Sequence, residues 1–131
     1  MLRILVVDDH EVVRRGVISL LQSQPDFQIA GEASNGFEAV AMAERLQPSV
    51  IVLDISLPGL NGLDAARQIR RLAASSQILF FSQHNAPEMV TEAMRIGGSG
   101  YVCKADAGRE LVNAIHAVAG HERFLSASCA A

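Results

Sequence analysis

The chain is poor in the features that mark a secreted or membrane-embedded protein. It has two cysteines, Cys103 and Cys129, which make no disulfide framework and point to a reducing cytosol. It lacks long hydrophobic runs. Ile4-Leu5-Val6-Val7, Val50-Ile51-Val52-Leu53 and Ile78-Leu79-Phe80-Phe81 are four residues each, against the roughly 20 a membrane helix needs. Asp8 and Asp9 interrupt the N-terminal apolar stretch almost at once, so no secretory leader is visible. There is no excess of positive charge either: 11 Lys and Arg against 14 Asp and Glu leave a net charge of −3 and a pI near 5.7. That balance disfavours direct contact with nucleic-acid phosphates. What is present is ample apolar material, 50% hydrophobic against 19% charged over 131 residues, with mean hydropathy +0.23. Disorder is excluded and one ordinary domain fits. The expectation is an acidic, cytoplasmic single domain with no membrane contact.

Periodicity divides the chain into alternating strands and helices. Residues 3–7, 50–53 and 78–81 are solid apolar runs, which suit strands buried on both faces of a parallel sheet. The segment 27–33 alternates and reads as a half-exposed strand nearer an edge. The short run Gly100-Tyr101-Val102-Cys103 is expected at the other edge. Five stripes at helical spacing fill the gaps, carried by Val13-Val17-Leu20-Leu21, Ala39-Ala43-Leu46, Leu63-Ala66-Ile69, Val90-Ala93-Met94 and Leu111-Ile115-Val118. Pro48, Pro58 and Pro87 are expected in the connections. Five βα units with right-handed crossovers place helices on both faces of a parallel sheet. The tail after Gly120 loses its pattern and reads as a linker.

In such open sheets ligands bind beyond the carboxyl ends of the strands. Asp8, Asp9 and His10 follow the first strand, Asp54 ends the third, Ser82 ends the fourth and Lys104 follows the fifth. Three carboxylates on one rim repel one another, and one lysine cannot neutralise them all. A hard divalent cation such as Mg²⁺ can, because it prefers oxygen ligands. An aspartate kept ionised there can attack phosphorus, and Asp54 on its central strand suits that role. Lys104 would meet charge on the phosphoryl group, and Ser82 would offer it a hydroxyl. Singly, each residue has a plainer reading: Asp8 or Asp9 as a helix cap, Asp54 as the cap of a turn, Ser82 as a cap of the fourth helix, Lys104 as a surface cation. All of these holding at four matching strand ends is a much poorer account. His10, His84, His116 and His121 show no metal-ligand spacing and read as solvated or structural. Arg14, Arg15, Arg67, Arg70 and Arg71 read as solvated helix faces, and Cys103 as a small strand residue.

Together, Ile4 to His10, Asp54 to Gly62, Ser82, and Gly100 to Lys104 resemble the receiver domains of two-component response regulators across essentially the whole chain. The resemblance implies a doubly wound (βα)5 flavodoxin-like α/β fold, with a five-stranded sheet of order 2-1-3-4-5. It implies transfer of a phosphoryl group from the phosphohistidine of a sensor histidine kinase to Asp54. Asp8, Asp9 and Asp54 would hold Mg²⁺ with the backbone carbonyl of Ser56. Ser82 and Lys104 would bind the phosphoryl group, and Tyr101 would be the aromatic that rotates inward as Ser82 moves. Ser56 and His84 stand at positions that influence phosphoryl lifetime in this family. Asp9-His10, Arg15-Gly16 and the ending Gly120 to Ser126 look more like the NarL/FixJ (LuxR-type) subgroup. Its members usually continue into a helix-turn-helix DNA-binding domain and dimerise on phosphorylation. On that reading residues 1–120 are the receiver, and 121–131 begin a linker toward an output domain absent from this chain.

Two departures stand out. Ala105 follows Lys104 where many receivers carry proline, so a cis bond there would be costly. Gln83 follows Ser82 where many carry a smaller residue, which is expected to slow phosphorylation by small donors. Three readings compete. A haloacid-dehalogenase-like phosphohydrolase wants a second Asp where Ser56 stands. A flavodoxin-like FMN module wants a Ser/Thr/Gly-rich first loop where Asp8-Asp9 stands. A stand-alone or pseudo-receiver would signal through protein binding alone.

Overall fold

A computed structural model of the protein describes residues 1–129. Strands β1 (Leu2–Val7), β2 (Phe27–Ala33), β3 (Val50–Leu53), β4 (Gln77–Ser82) and β5 (Gly100–Cys103) alternate with helices α1 (Glu11–Gln22), α2 (Gly36–Leu46), α3 (Gly62–Leu72), α4 (Pro87–Arg95) and α5 (Ala107–Ala119). A further strand, β6 (Phe124–Leu125), follows α5. All pairings are parallel, and the order is β2-β1-β3-β4-β5-β6.

The solid apolar runs become the middle of the sheet because each presents apolar side chains to both sides. Leu5, Val7, Ile51, Leu53, Ile78, Phe80 and Tyr101 point into one core, closed by α2, α3 and α4 through Ala39, Ala43, Ala66, Ile69 and Val90. Ile4, Val6, Val50, Val52, Leu79, Phe81 and Val102 point into the other, closed by α1 and α5 through Val17, Leu21, Leu111, Ile115 and Val118. Each large side chain fully buried in this way contributes roughly 1.5–3 kcal/mol. The alternation also explains β2, whose pattern is mixed because it is an edge strand with one neighbour.

The structure corrects two expectations. The sheet has six strands rather than five, so β5 is not its edge. Phe124 and Leu125 pair with Gly100 and Tyr101, and Ser126, just beyond, is fully buried. Two residues are too few to show a strand period, so this part of the tail carries no pattern in the sequence. Ala130 and Ala131, the last residues of the expected linker, lie outside the described residues. Pro87, expected in a connection, instead opens α4, where its missing N–H costs nothing.

Register sets the position of the site. Val7 lies opposite Leu53, Leu53 opposite Phe80, and Ser82 opposite Cys103. The residues that end or follow these strands therefore meet on one rim. Gly62, at the start of α3, packs tightly beneath it: a Cβ there would collide with the Asp54 carbonyl oxygen.

Candidate functional site

Asp8 and Asp54 sit on the rim at the ends of two adjacent central strands. Their backbone amides extend the sheet's bonding, Asp8 N–H donating to Ala33 O at 3.1 Å and Asp54 N–H to Val7 O at 3.1 Å. Both side chains are buried, whereas Asp9 is exposed. Lys104, just past β5, reaches back so that its Nζ lies 2.8 Å from Asp8 Oδ2 and 3.0 Å from Asp54 Oδ2. A second bond comes to Asp54 from the backbone N–H of Ser56 at 3.3 Å.

Burial pushes the Asp54 carboxyl above its ordinary range, and the Asp8 charge adds to that; the bonds from Lys104 and Ser56 only partly offset it. On Lys104 the balance runs the other way. Burial pulls its pKa down, but the bonds to Asp8 and Asp54 outweigh this and leave it above the ordinary lysine value. Lys104 is thus held charged between two buried carboxylates.

One cation for three carboxylates leaves the cluster net negative. Buried Asp8 Oδ2 has to share the Lys104 ammonium, 2.8 Å away, with Asp54 Oδ2. Asp8, Asp9, His10 and Asp54 each present a ligand atom, and all four atoms lie within 4.8 Å of one another. A hard divalent cation fits this donor set, since the oxygens are the ligands it prefers and it offers charge where charge is missing.

The other expected residues are close by. Ser82 is fully buried, and its Oγ accepts from His84 N–H at 3.1 Å. It does not cap α4, which begins five residues later. Tyr101 is also fully buried, already turned inward, with its hydroxyl donating to His84 O at 2.7 Å. Burial pushes its phenol up to about 12. Gln83 is exposed. Neither Asp8 nor Asp9 caps α1: its N-cap is His10, whose side chain makes no capping bond.

Three features escaped sequence reasoning. His84 is a junction: besides its backbone bonds to Ser82 and Tyr101, its ring Nε2 lies 3.0 Å from Ser56 Oγ, so it ties the loop after β3 to the loop after β4. Arg14 is no solvated face residue, since it donates to Glu32 Oε1 at 2.9 Å and to the Asp8 carbonyl at 2.6 Å. Arg70 likewise turns in to the Ser76 carbonyl. The reading of His116 as structural fits, since it pairs with Asp26 at 2.7 Å and packs on Phe27. Cys129 packs into the same core as Cys103. Its thiol is pushed up to about 12, by burial first and then by the Cys103 thiol.

The response regulator receiver domain family matches residues 4–116. The nitrate/nitrite response regulator NarL of Escherichia coli K12 is 40% identical over 123 residues, covering 94% of this chain and 57% of that protein. The DNA-binding transcriptional activator DevR/DosR of Mycobacterium tuberculosis is 36% identical over 131 residues, covering 100% of this chain and 60% of its own length. Among solved structures, a LuxR-family two-component response regulator from Aurantimonas sp. SI85-9A1 superimposes with a TM-score of 0.95 at 35% identity, covering 99% of this chain and 93% of that one. The chain therefore spans somewhat over half the length of the curated relatives it matches. No helix among the described residues is long and apolar enough to cross a membrane.

Proposed function

This chain belongs to the response regulator receiver family, in its NarL/LuxR-type branch, and on that premise we propose that it accepts a phosphoryl group on Asp54 from the phosphohistidine of a sensor histidine kinase. The observation that supports this most is the Lys104 ammonium held between the buried carboxylates of Asp8 and Asp54. An Asp54 oxygen attacks phosphorus, the N–P bond of the phosphohistidine breaks, and the departing imidazole leaves with the bonding electrons. Asp54 is pre-positioned by Ser56 N–H on one oxygen and Lys104 on the other. Lys104 then stays to neutralise the acyl phosphate. Asp8, Asp9, Asp54 and the Ser56 carbonyl would hold Mg²⁺, which when bound supplies positive charge to the phosphoryl oxygens.

The added group carries about two negative charges and several acceptors. Ser82 Oγ can leave the His84 amide to bond it, and Tyr101, bonded to the same His84, senses that exchange. This couples the loop after β4 to β5, and the phosphorylated state is favoured only by its differential contacts. The receiver spans residues 1–120, and the remainder leads toward a helix-turn-helix output domain. Through that domain and phosphorylation-driven homodimerisation the cytoplasmic protein regulates transcription. The chain is a signalling domain that promotes only its own phosphorylation and dephosphorylation.

Incubation with Mg²⁺ and acetyl phosphate, read by intact mass, tests the proposal. The expected result is a hydroxylamine-labile gain of one phosphoryl group, absent from Asp54→Ala. A gain that survives in Asp54→Ala refutes Asp54 as the acceptor. Failure of both acetyl phosphate and beryllofluoride to react would leave a pseudo-receiver that acts through protein binding.

A further inference from the structure

The segment after α5 carries the protein's second thiol back onto the first. Beyond the pairing of Phe124 and Leu125 with β5, Ser126 N–H donates to Tyr101 O at 2.8 Å, and Ser126 Oγ accepts from Cys103 N–H at 3.0 Å. A single helical turn follows, Ala127–Cys129. Cys129 N–H closes it by donating to Ser126 O at 2.9 Å, and Ser128 Oγ pins it by donating to Asp106 Oδ2 at 2.8 Å. Cys129 is thereby set against the apolar core that contains Cys103 and Tyr101. Both cysteines are free, Cys103 buried and Cys129 half-buried, and their thiols lie within hydrogen-bonding reach of each other.

We infer that Cys103 and Cys129 form a reversible intramolecular disulfide that latches the segment after α5 onto β5. The chain has no other cysteine to compete for either thiol. In a reducing compartment such a pair rests as two thiols, and its disulfide is a response to oxidant rather than a structural staple. With a peroxide as oxidant the step balances. The Cys129 sulfur attacks one peroxide oxygen and becomes a sulfenic acid, while the other oxygen leaves as water. The Cys103 sulfur then attacks the sulfenic sulfur and expels a second water, so two thiols and one peroxide give one disulfide and two waters. Burial keeps the docked Cys129 thiol protonated and slow to react. Attack therefore begins when the turn opens locally and the thiol meets solvent, and the bond closes when the turn docks again beside Cys103. The disulfide records an opening of this segment and then prevents the next one, next to Tyr101.

Treatment of the reduced full chain with hydrogen peroxide, read by intact mass and peptide mapping, tests this. The expected product is a monomer lighter by two hydrogens, with Cys103 and Cys129 in one linked peptide, restored by dithiothreitol and absent from Cys129→Ser. In the oxidised protein, hydrogen exchange at the Ser126 amide is expected to slow by about tenfold or more. Cys103→Ser should stop at a sulfenic acid on Cys129, trapped by dimedone. Two thiols that stay free overturn the inference, as do disulfide-linked dimers alone or oxygen added to Cys129 while Cys103 stays reduced. A disulfide that leaves the Ser126 exchange unchanged overturns the latch.

Discussion

Tyr101→Phe isolates one hydroxyl at the centre of the proposed switch. The ring keeps its place beside Phe80, whose centroid is 6.3 Å away, so no cavity opens. What is lost is the bond to His84 O at 2.7 Å, worth about 1 kcal/mol net. For a domain of this size that is a fall in Tm of roughly 3–4 °C at pH 7. Alkaline pH reverses the comparison. Burial holds the phenol near pKa 12 in the folded protein against 10.0 ordinarily. A group raised in this way contributes fully below its unfolded pKa, and the contribution is lost as pH climbs through the folded one. By pH 12 the wild type has lost about 2 kcal/mol that the phenylalanine variant cannot lose. Wild type is therefore more stable at neutral pH, the curves cross near about pH 11, and the variant is more stable beyond it. Lys104 deprotonates in both proteins, so its effect cancels in the difference. With one tyrosine and no tryptophan in the chain, tyrosinate absorbance reports Tyr101 alone, beside chemical denaturation at each pH. Ionisation of the folded protein near pH 10, or a variant that stays the less stable of the two through pH 12, would refute the role given to Tyr101 burial.

Three further outcomes are expected. Lys104→Met leaves Asp8 and Asp54 buried without their shared cation; it should cost roughly 1–3 kcal/mol after discounting for the partly exposed lysine. The rise in Tm on adding Mg²⁺ should exceed that of wild type, and an equal or smaller rise would count against the ion offsetting these carboxylates. Gly62→Ala drives a methyl group toward the Asp54 carbonyl and to 2.7 Å from Ile55 Cα. Backbone cannot retreat cheaply, so a loss of about 2 kcal/mol or more is expected in urea unfolding, together with a lower phosphoryl yield by intact mass. Ser126→Ala removes the Oγ that accepts from Cys103 N–H at 3.0 Å and donates to Glu110 at 2.5 Å. About 1–3 kcal/mol should be lost, and hydrogen exchange at the Cys103 amide should quicken; unchanged exchange would show that the segment after α5 is not anchored there.

Much of this protein could be read from local pattern. Three apolar runs without polar interruption can only be strands covered on both faces, and helical stripes between them leave the parallel α/β arrangement as the outcome. Because parallel strands point the same way, Asp8, Asp54, Ser82 and Lys104 had to share one rim whatever else the chain did. Other features lay beyond any local pattern. The Lys104–Asp54 bond spans 50 positions, and only register and sheet order decide that it forms. Strand β6 is two residues long, too short to carry a period, and exists because β5 offers it an open edge. Arg14 and Arg70 sit where polar helix faces are expected, but their long stems let the guanidinium turn in to a carbonyl that tertiary contact supplies. The inward seat of Tyr101 follows from strand alternation, whereas its partner, the His84 carbonyl, comes from a loop 17 positions away. His10 follows the same division: its place after Asp9 is plain in the sequence, yet only the turn bonded through Asp8 Oδ1 brings its ring to the carboxylates. Residue types and strand ends are local properties, while charge balance at the rim depends on which distant groups the packed sheet forces together.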